Sequence, residues 1–382
     1  MNHSLGLEDR KDSACEGHEK HGSASCSDLP APGTGGPRSL DTTPVNRILW
    51  LAVVGVILLL KGVLHAETDV IVASDGSGRF TSVQAAIMSV PAGEATNPVV
   101  IHIKPGTYKE LVYVQREKRF FRLVGESATN TTIVYGLYAG MTNLDGKPIG
   151  TFHTPTATID ADDFAAENIT FENCAGPVGQ ALAIRVDGDR ALFRNCFFVG
   201  WQDTILVNRG RQYFDHCSIC GHVDFIFGAA TSWFQDCLIC SRGAGGCLTA
   251  ASTPEDVPYG YVFSHCQIFG ENPDTRTYLG RPWRIHASTI FLNTEMSAVV
   301  RPEGWNDWKK PETHQTARYA EFNGTGPGAD PTNRVSWAKQ LTVEEAAGIT
   351  VETVLGGWKP EGVIFHRSLS FPGFTGSQGT AK

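Results

Sequence analysis

The chain has 382 residues, of which 41% are hydrophobic and 19% charged, and its formal net charge is −8. This composition is typical of a globular protein, and the 41 glycines and 20 phenylalanines favour many short strands joined by tight turns over a helical bundle. The acidic charge and the lack of a Lys or Arg run argue against a nucleic-acid binding protein.

One strongly apolar run lies near the N-terminus. Residues 1–46, which precede it, are rich in Gly, Ser, Pro and charge, so we predict a disordered segment: a cytoplasmic tail or a mis-assigned translation start. The run itself, residues 48–60 (ILWLAVVGVILLL), is short for a membrane span and typical of a secretory signal. We therefore predict that residues 47–66 form a signal peptide cleaved before Glu67, or a signal anchor that stays in the membrane. Residues 67–382 are predicted to form one folded domain.

A helix followed by a repeat is predicted in the folded part. The segment 81–89 (TSVQAAIMS) is helical in pattern and is expected to cap the open end of a core. A five-residue pattern follows it in five copies. The pattern is an aliphatic or aromatic residue (Thr in the first copy), then Phe, then a variable residue, then Asn, Asp or His, and finally Cys. The copies occupy residues 170–174, 192–196, 213–217, 233–237 and 262–266.

The repeat length indicates the fold. A period of about 20 to 25 residues in β-branched and aromatic sequence predicts a solenoid. A leucine-rich repeat would need a regular Leu and Asn framework, which the sequence lacks. We therefore predict an all-β protein, a parallel β-helix whose Leu, Phe and Cys ladders fill the interior. A second short helix is predicted within residues 341–349.

Two pairs of cysteines have the spacing of a zinc site, because two residues separate Cys217 from Cys220 and Cys237 from Cys240. In a strand, however, residues three apart point to opposite faces, and the repeat already accounts for Cys217 and Cys237. We therefore predict no metal. Cys217 and Cys237 should lie about 5 Å apart on adjacent coils, and we predict a disulfide between them, with free buried thiols as the alternative.

Four polar residues recur at the spacing of the repeat: Gln180, Gln202, Asp203 and Asp224. On successive coils about 4.8 Å apart they would stack above one another. Two adjacent carboxylates cannot both ionise easily, so we expect one pKa to be raised and the other lowered, giving a general acid and a nucleophile or base. The two amides could donate hydrogen bonds to an oxyanion. This set suits acyl transfer, and no Gly-x-Ser-x-Gly elbow supplies a serine nucleophile.

Asp224 has apolar neighbours in the segment 221–228 (GHVDFIFG), so its carboxylate needs a partner. Arg281 is the candidate, because a guanidinium can hold a carboxylate bidentately and keep it ionised. The alternative is that Arg281 is an ordinary surface arginine.

These residues fall in five motifs that, in this order, resemble those of the pectin methylesterases of plants and microbes. The motifs are 106–110 (GTYKE), 180–186 (QALAIRV), 200–204 (GWQDT), 221–228 (GHVDFIFG) and 279–283 (LGRPW). The resemblance extends from about residue 70 to residue 360. Trp201 stands where the family usually has Tyr or Phe, and Ile205 and Leu206 are mild variants; neither departure touches the chemistry.

The resemblance implies a single-stranded right-handed parallel β-helix and a pectinesterase that releases methanol from methyl-esterified homogalacturonan. It implies that Asp224 attacks the ester carbonyl, and that Asp203 protonates the leaving methanol and then activates water. Gln180 and Gln202 would stabilise the tetrahedral oxyanion. Arg281 would anchor Asp224.

The substrate-binding set that we predict on the same basis consists of Gln180, Phe227, Arg281 and Trp283. Trp283 would pack against a sugar ring, although it could instead be a core aromatic. We expect no cofactor, no metal and no nucleic-acid partner. The protein is predicted to be a monomer, secreted to the cell wall, with a membrane-anchored form possible through residues 48–60.

Other functions compete with this interpretation. A β-helical polygalacturonase also pairs aspartates, but its additional Asp pair and its Gly-His-Gly and Arg-Ile-Lys motifs are missing from the sequence. A pectate lyase would need a calcium cage of carboxylates, and none is evident. A solenoid that only binds pectin would not need both aspartates. An esterase of the same fold that acts on another acyl ester stays open, since loops decide the substrate.

Overall fold

The computed structural model describes residues 70–360. The predicted disordered segment 1–46 and the predicted signal peptide or anchor 47–66 lie outside the described residues. Within 70–360, no helix is long and apolar enough to cross a membrane.

Three parallel sheets of eleven, eight and seven strands form the described part of the chain. The eleven-strand sheet contains Val70–Val72, Val99–Ile103, Phe121–Gly125, Ala165–Glu167, Ala191–Arg194, Arg211–Asp215, Thr231–Gln235, Tyr261–Ser264, Ser288–Leu292, Arg318–Phe322 and Lys339–Gln340. The eight-strand sheet contains Gly106–Lys109, Thr131–Tyr135, Thr170–Asn173, Phe197–Val199, Ser218–Gly221, Leu238–Ser241, Gln267–Gly270 and Glu295–Met296. The seven-strand sheet contains Val112–Val114, Ala157–Ile159, Ile184–Val186, Ile205–Val207, Val223–Gly228, Ala244–Ala251 and Arg276–Gly280.

The chain visits the three sheets in turn on each coil. One coil runs through Ala191–Arg194, Phe197–Val199 and Ile205–Val207, and each of these strands pairs in parallel with the corresponding strand of the next coil. Residues equivalent on successive coils are therefore hydrogen-bonded neighbours. The predicted parallel β-helix is confirmed.

Short helices lie at both ends of the described solenoid, and one lies between strands in its first half. The α-helices are Val83–Ser89, Val343–Ala347 and Val351–Val354, and the 3-10 helices are Thr151–His153, Pro311–Gln315, Pro327–Ala329 and Pro331–Asn333. The helices predicted within 81–89 and 341–349 are confirmed.

The helix Val83–Ser89 is held over the first coils by specific caps. Ser82 Oγ accepts a hydrogen bond from the Ala85 amide (3.2 Å), and the Glu110 carboxylate accepts from the amides of Val83 (2.8 Å) and Gln84 (2.9 Å). These bonds satisfy the free N–H groups of the first helical turn and place a negative charge at its positive end. Glu110 ends the segment 106–110, so this motif serves the fold.

A column of stacked phenylalanines fills the interior. Ring centroids are 5.0 Å apart for Phe193 and Phe214, 4.6 Å for Phe214 and Phe234, 4.4 Å for Phe234 and Phe263, and 4.5 Å for Phe263 and Phe291. All five are buried. Full burial of such a side chain contributes about 1.5–3 kcal/mol, so the column is a main source of stability and keeps the coils in register.

The first predicted copy of the repeat, residues 170–174, is wrong in register. Phe171 belongs to the eight-strand sheet, where it pairs with Phe198 and stacks on it at 5.6 Å. The residue beside Phe193 on the preceding coil is Ala166. Cys174 is exposed and outside the interior column. The Phe-x-Asn-Cys pattern at this place coincides with a strand end of another sheet.

The Asn, Asp or His position of the repeat is a left-handed turn. Asn195 (φ 50°), His216 (φ 52°), Asp236 (φ 51°) and His265 (φ 54°) all occupy it, between the eleven-strand and the eight-strand sheets. Residues other than Gly rarely adopt this conformation, and Asn, Asp and His are the most tolerant of it. The repeat pattern therefore has a backbone cause.

The predicted disulfide between Cys217 and Cys237 is wrong, and the alternative of free buried thiols holds. Cys217 Sγ donates to the carbonyl of Phe193 (3.4 Å), and Cys237 Sγ donates to the carbonyl of Phe214 (3.6 Å). Burial raises the pKa of the Cys237 thiol well above its usual value. A neutral, hydrogen-bonded thiol has little of the thiolate form that disulfide exchange requires.

Candidate active site

The four polar residues predicted to stack do meet where the chain enters the seven-strand sheet. Gln180 pairs with Gln202 in a parallel bridge, and the Ala181 amide donates to the Gln202 carbonyl (3.1 Å). The Asp203 amide donates to the carbonyl of Val223, the residue before Asp224 (3.0 Å). Gln180, Gln202 with Asp203, and Asp224 thus occupy three successive coils.

Both aspartates have left-handed backbone, with φ 64° at Asp203 and φ 52° at Asp224. This conformation is disfavoured for most residues with a side chain, and Asp is one of the few that adopt it. Asp203 is 8% exposed and Asp224 is 5% exposed. The turn at Asp203 and the strand bulge at Asp224 therefore hold two carboxyl groups of adjacent coils in a largely dry environment.

Arg281 binds Asp224 through both of its carboxylate oxygens. Nε donates to Oδ1 (2.8 Å) and Nη2 donates to Oδ2 (2.7 Å). This bidentate pair fixes the orientation of the carboxylate as well as its charge. The predicted pairing is confirmed, and Arg281 is not an ordinary surface arginine.

Burial raises the pKa of Asp203 to about 8, with a further upward contribution from the charge of Asp224 and a downward one from Arg281. Desolvation disfavours the charged form of a carboxyl group, and a neighbouring negative charge acts in the same direction. Asp203 therefore holds its proton at neutral pH and can donate it.

Burial also raises the pKa of Asp224, while the hydrogen bonds and the charge of Arg281 oppose the rise without cancelling it. The expectation that one pKa rises and the other falls is therefore wrong for Asp224. The reason is its near-complete desolvation, which outweighs the guanidinium. The two carboxyls still differ, because Arg281 is hydrogen-bonded directly to Asp224.

A row of apolar residues on and beside the seven-strand sheet lies next to the carboxyl groups. It consists of Leu182, Leu206, Phe227 and Ala250. Phe227 is 4% exposed, and its ring centroid is 5.8 Å from that of Trp283. Trp283 is partly exposed and packs on this row together with Trp308. Trp283 thus has one packed face while part of its surface stays free. Trp283 packs against Phe227. The predicted contact of Phe227 with substrate stays a prediction.

Trp308 contacts Arg281 and Lys310 contacts Trp308, and neither residue was predicted from the sequence. The Trp308 ring stacks on the Arg281 guanidinium, with the centroid 3.8 Å from Cζ, which is a cation–π contact. Lys310 Nζ is 4.8 Å from the Trp308 ring. The loop that carries both lies outside the repeat, so periodicity gives no signal for it. Only the density of tryptophan in the segment 304–308 (GWNDW) could have drawn attention to it.

The arrangement has the parts needed for acyl transfer. Asp224 is a carboxyl group oriented by Arg281, Asp203 on the adjacent coil is a carboxyl group that can donate a proton, and Gln180 and Gln202 pair with each other on the coils that precede Asp224 and carry side-chain amides. Among residues 70–360, no group of three or more His, Cys, Asp or Glu side chains is arranged to hold a metal ion.

Comparison with known proteins gives one family. The family model described as Pectinesterase matches residues 69–358. Pectinesterase 31 of Arabidopsis thaliana is 39% identical over 280 residues, which are 72% of this chain and 88% of that protein. The chain spans about half the length of other curated relatives: it covers 52% of Pectinesterase 4 of Arabidopsis thaliana, at 37% identity over 77% of this chain.

Solved structures agree with the sequence matches. The pectin methylesterase from carrot superposes with a TM-score of 0.71 at 33% identity, covering 76% of this chain and 94% of that chain. A pectin methylesterase in complex with hexasaccharide VII superposes with a TM-score of 0.68 at 32% identity, covering 77% of this chain and 99% of that chain.

Proposed function

This chain belongs to the pectinesterase family, and on that premise we propose that it hydrolyses the methyl esters of homogalacturonan to give de-esterified pectin and methanol. The observation that carries the proposal is the bidentate pair of Asp224 and Arg281 beside a buried Asp203 whose pKa is raised to about 8. One carboxyl group is thereby oriented for attack while its neighbour keeps a proton.

The first half of the reaction forms an acyl-enzyme. The Asp224 carboxylate attacks the ester carbonyl carbon, and the side-chain amides of Gln180 and Gln202 donate hydrogen bonds to the oxyanion that develops. When the tetrahedral intermediate collapses, the bond to the methoxy oxygen breaks and Asp203 gives that oxygen its proton. Methanol leaves, and the galacturonyl group is bound to Asp224 as an anhydride.

The second half regenerates the enzyme. Asp203, now ionised, takes a proton from water as the water oxygen attacks the acyl carbonyl carbon. The anhydride bond breaks, Asp224 returns to its carboxylate form beside Arg281, and the product is a galacturonate carboxyl group. Asp203 again holds a proton, so one ester and one water give one acid and one methanol.

Substrate binding and localisation belong to the same proposal. The substrate lies over Trp283, which packs against a sugar ring, and contacts Gln180, Phe227 and Arg281. The partly exposed surface of Trp283 supports this position. Because one chain supplies every group, the enzyme acts as a monomer. Family membership and the signal-like run 48–60 support export to the cell wall.

Product analysis on highly methylated pectin tests the function. We expect methanol and titratable acid in equal amounts, no new reducing ends, no unsaturated products, and the same rate with and without EDTA. New reducing ends would indicate a glycoside hydrolase, and unsaturated ends a lyase. Hydrolysis of acetylated but not methylated substrate would indicate an esterase for another acyl group. Any of these results would contradict the proposal.

A further inference from the structure

A second pair of cysteines lies on the eight-strand sheet, outside the machinery described above. Cys220 and Cys240 are directly opposite each other in the neighbouring strands Ser218–Gly221 and Leu238–Ser241. Parallel neighbours in register have Cα atoms about 4.8 Å apart, a separation that a disulfide spans. The two thiols shift each other's pKa, and both cysteines are free in this structure.

This pair differs from the interior thiols in its surroundings. Cys220 is partly exposed, whereas Cys217 and Cys237 are 1% and 0% exposed. On the far sides, the register partners of Cys220 and Cys240 are Val199 and Phe269. The outer thiols therefore have each other as sulfur neighbours in the sheet, and a reagent in solution can reach one of them.

We propose that Cys220 and Cys240 form a reversible disulfide that links two successive coils, by exchange with a small-molecule disulfide such as oxidised glutathione. The bridge closes a loop that contains the whole strand Val223–Gly228 and therefore Asp224. It is a modification site separate from the carboxyl groups.

The difference in pKa between the two thiols decides which cysteine reacts first. The neighbouring Cys240 thiol lowers the pKa of Cys220, and the positive charge of Arg242 acts in the same direction. The proximity of Cys220 in turn raises the pKa of Cys240. The more acidic, more exposed thiol is the attacking group, so Cys220 begins the reaction.

The chemistry is a two-step thiol–disulfide exchange. The Cys220 thiolate attacks one sulfur of oxidised glutathione, forming a mixed disulfide and releasing one glutathione thiol. Cys240 then loses its proton and attacks the Cys220 sulfur, which forms the protein disulfide and releases the second glutathione thiol. The two cysteines lose two electrons and two protons, and glutathione disulfide gains them.

Peptide mapping and thermal unfolding test the proposal. The full chain is equilibrated with oxidised or reduced glutathione, its remaining thiols are alkylated, and it is digested without reduction. We expect a peptide linked through Cys220 and Cys240 in the oxidised sample, and a melting temperature about 5 °C above that of the reduced sample, because the cross-link restricts the unfolded chain.

Two variants make the test specific. Cys220→Ser should abolish both the linked peptide and the difference in melting temperature, and Cys240→Ala should do the same. Cys174→Ser, which removes an exposed cysteine of another coil, should leave both unchanged. Full alkylation of Cys220 and Cys240 in oxidised wild-type protein overturns the proposal, even if a variant does not fold. So does a cross-link at Cys217 and Cys237 instead.

Discussion

Asp236 and Asp224 have the same left-handed backbone conformation but lie in different surroundings. At the turn into the eight-strand sheet, Asp236 has φ 51° and is exposed, with an oxygen that accepts from its neighbour Gln235 (2.9 Å). In a bulge at the start of the strand Val223–Gly228, Asp224 has φ 52° and is 5% exposed, with Arg281 on both oxygens. Residue type and φ are alike, and only the surroundings differ.

The comparison shows that chemistry enters this fold through burial and partners. At the turn between the eleven-strand and the eight-strand sheets, the left-handed backbone favours Asn, Asp or His for steric reasons. At Asp203 and Asp224 the same selection is combined with desolvation, which changes the protonation of a carboxyl group. The left-handed conformation therefore favours an aspartate, and the surroundings set the protonation of its carboxyl group.

The sharpest test of this comparison is the nearly isosteric change Asp224→Asn with Asp236→Asn as its matched control. Asp224→Asn removes the proposed nucleophile, and we expect a loss of about 10³-fold or more in kcat. Asp236→Asn alters an exposed turn of the same conformation and should change kcat less than twofold. Initial rates of methanol release measure both. A folded Asp224→Asn enzyme with a tenth of the wild-type rate would rule out covalent catalysis by this residue.

Much of the fold could be predicted because each coil repeats the same interior. The column through Phe193, Phe214, Phe234 and Phe263 has a period that appears directly in the sequence, and parallel pairing follows from it. The first copy failed because Ala166 replaces Phe there, so the pattern matched Phe171 of another sheet instead. A column position filled by a small residue gives no periodic signal.

The candidate site likewise contains residues whose positions follow from the repeat and residues whose positions do not. Gln180, Gln202, Asp203 and Asp224 lie on successive coils, so their spacing predicted their proximity. Trp308 comes from an irregular loop, and a contact between distant loops leaves no local pattern. The net pKa shift of Asp224 depends on how far burial outweighs Arg281. That balance needs the three-dimensional surroundings.

Arg281→Met would remove the guanidinium, which is one of the features that distinguish the surroundings of Asp224 from those of Asp236. Arg281 opposes the upward pKa shift of Asp224, so its loss raises that pKa further. Because Asp224 must be ionised to attack, the acidic limb of the pH–rate profile should move to higher pH by about 1–3 units, and the maximal rate should fall about 10–100-fold.

The measurement is kcat as a function of pH on a methylated oligogalacturonate. Arg281→Lys retains a positive charge without the bidentate geometry, and it should shift the acidic limb less than Arg281→Met does. An acidic limb that stays in place in Arg281→Met, with only its height reduced, would show that Arg281 does not control the ionisation of Asp224.

The alkaline limb tests the other buried aspartate. In the proposed mechanism Asp203 must be protonated to release methanol, and its pKa is raised to about 8, so the rate should fall as the pH rises through that value. For loss of one proton, the decline is about tenfold per pH unit above the pKa. In Asp203→Asn the amide does not titrate, so this limb should vanish from the residual activity. Its persistence in that variant would assign the limb to another group.

The smallest effect is expected at the structural turn, where Asn195 has φ 50° and is exposed. Asn195→Ala places a residue that disfavours the left-handed region there, and it should lower the free energy of unfolding by about 1 kcal/mol. Asn195→Gly accepts this φ without strain but loses more backbone entropy on folding, so the two contributions nearly cancel and stability should stay within about 0.5 kcal/mol. Neither variant should alter kcat, because Asn195 lies at the turn into the eight-strand sheet and Asp203 lies at a different turn, into the seven-strand sheet.

Denaturant unfolding measures the difference in stability between the two variants. Equal destabilisation by Ala and Gly would show that the Asn side chain, rather than the turn conformation, stabilises this position, and the analogy with Asp224 would then fail at its steric premise.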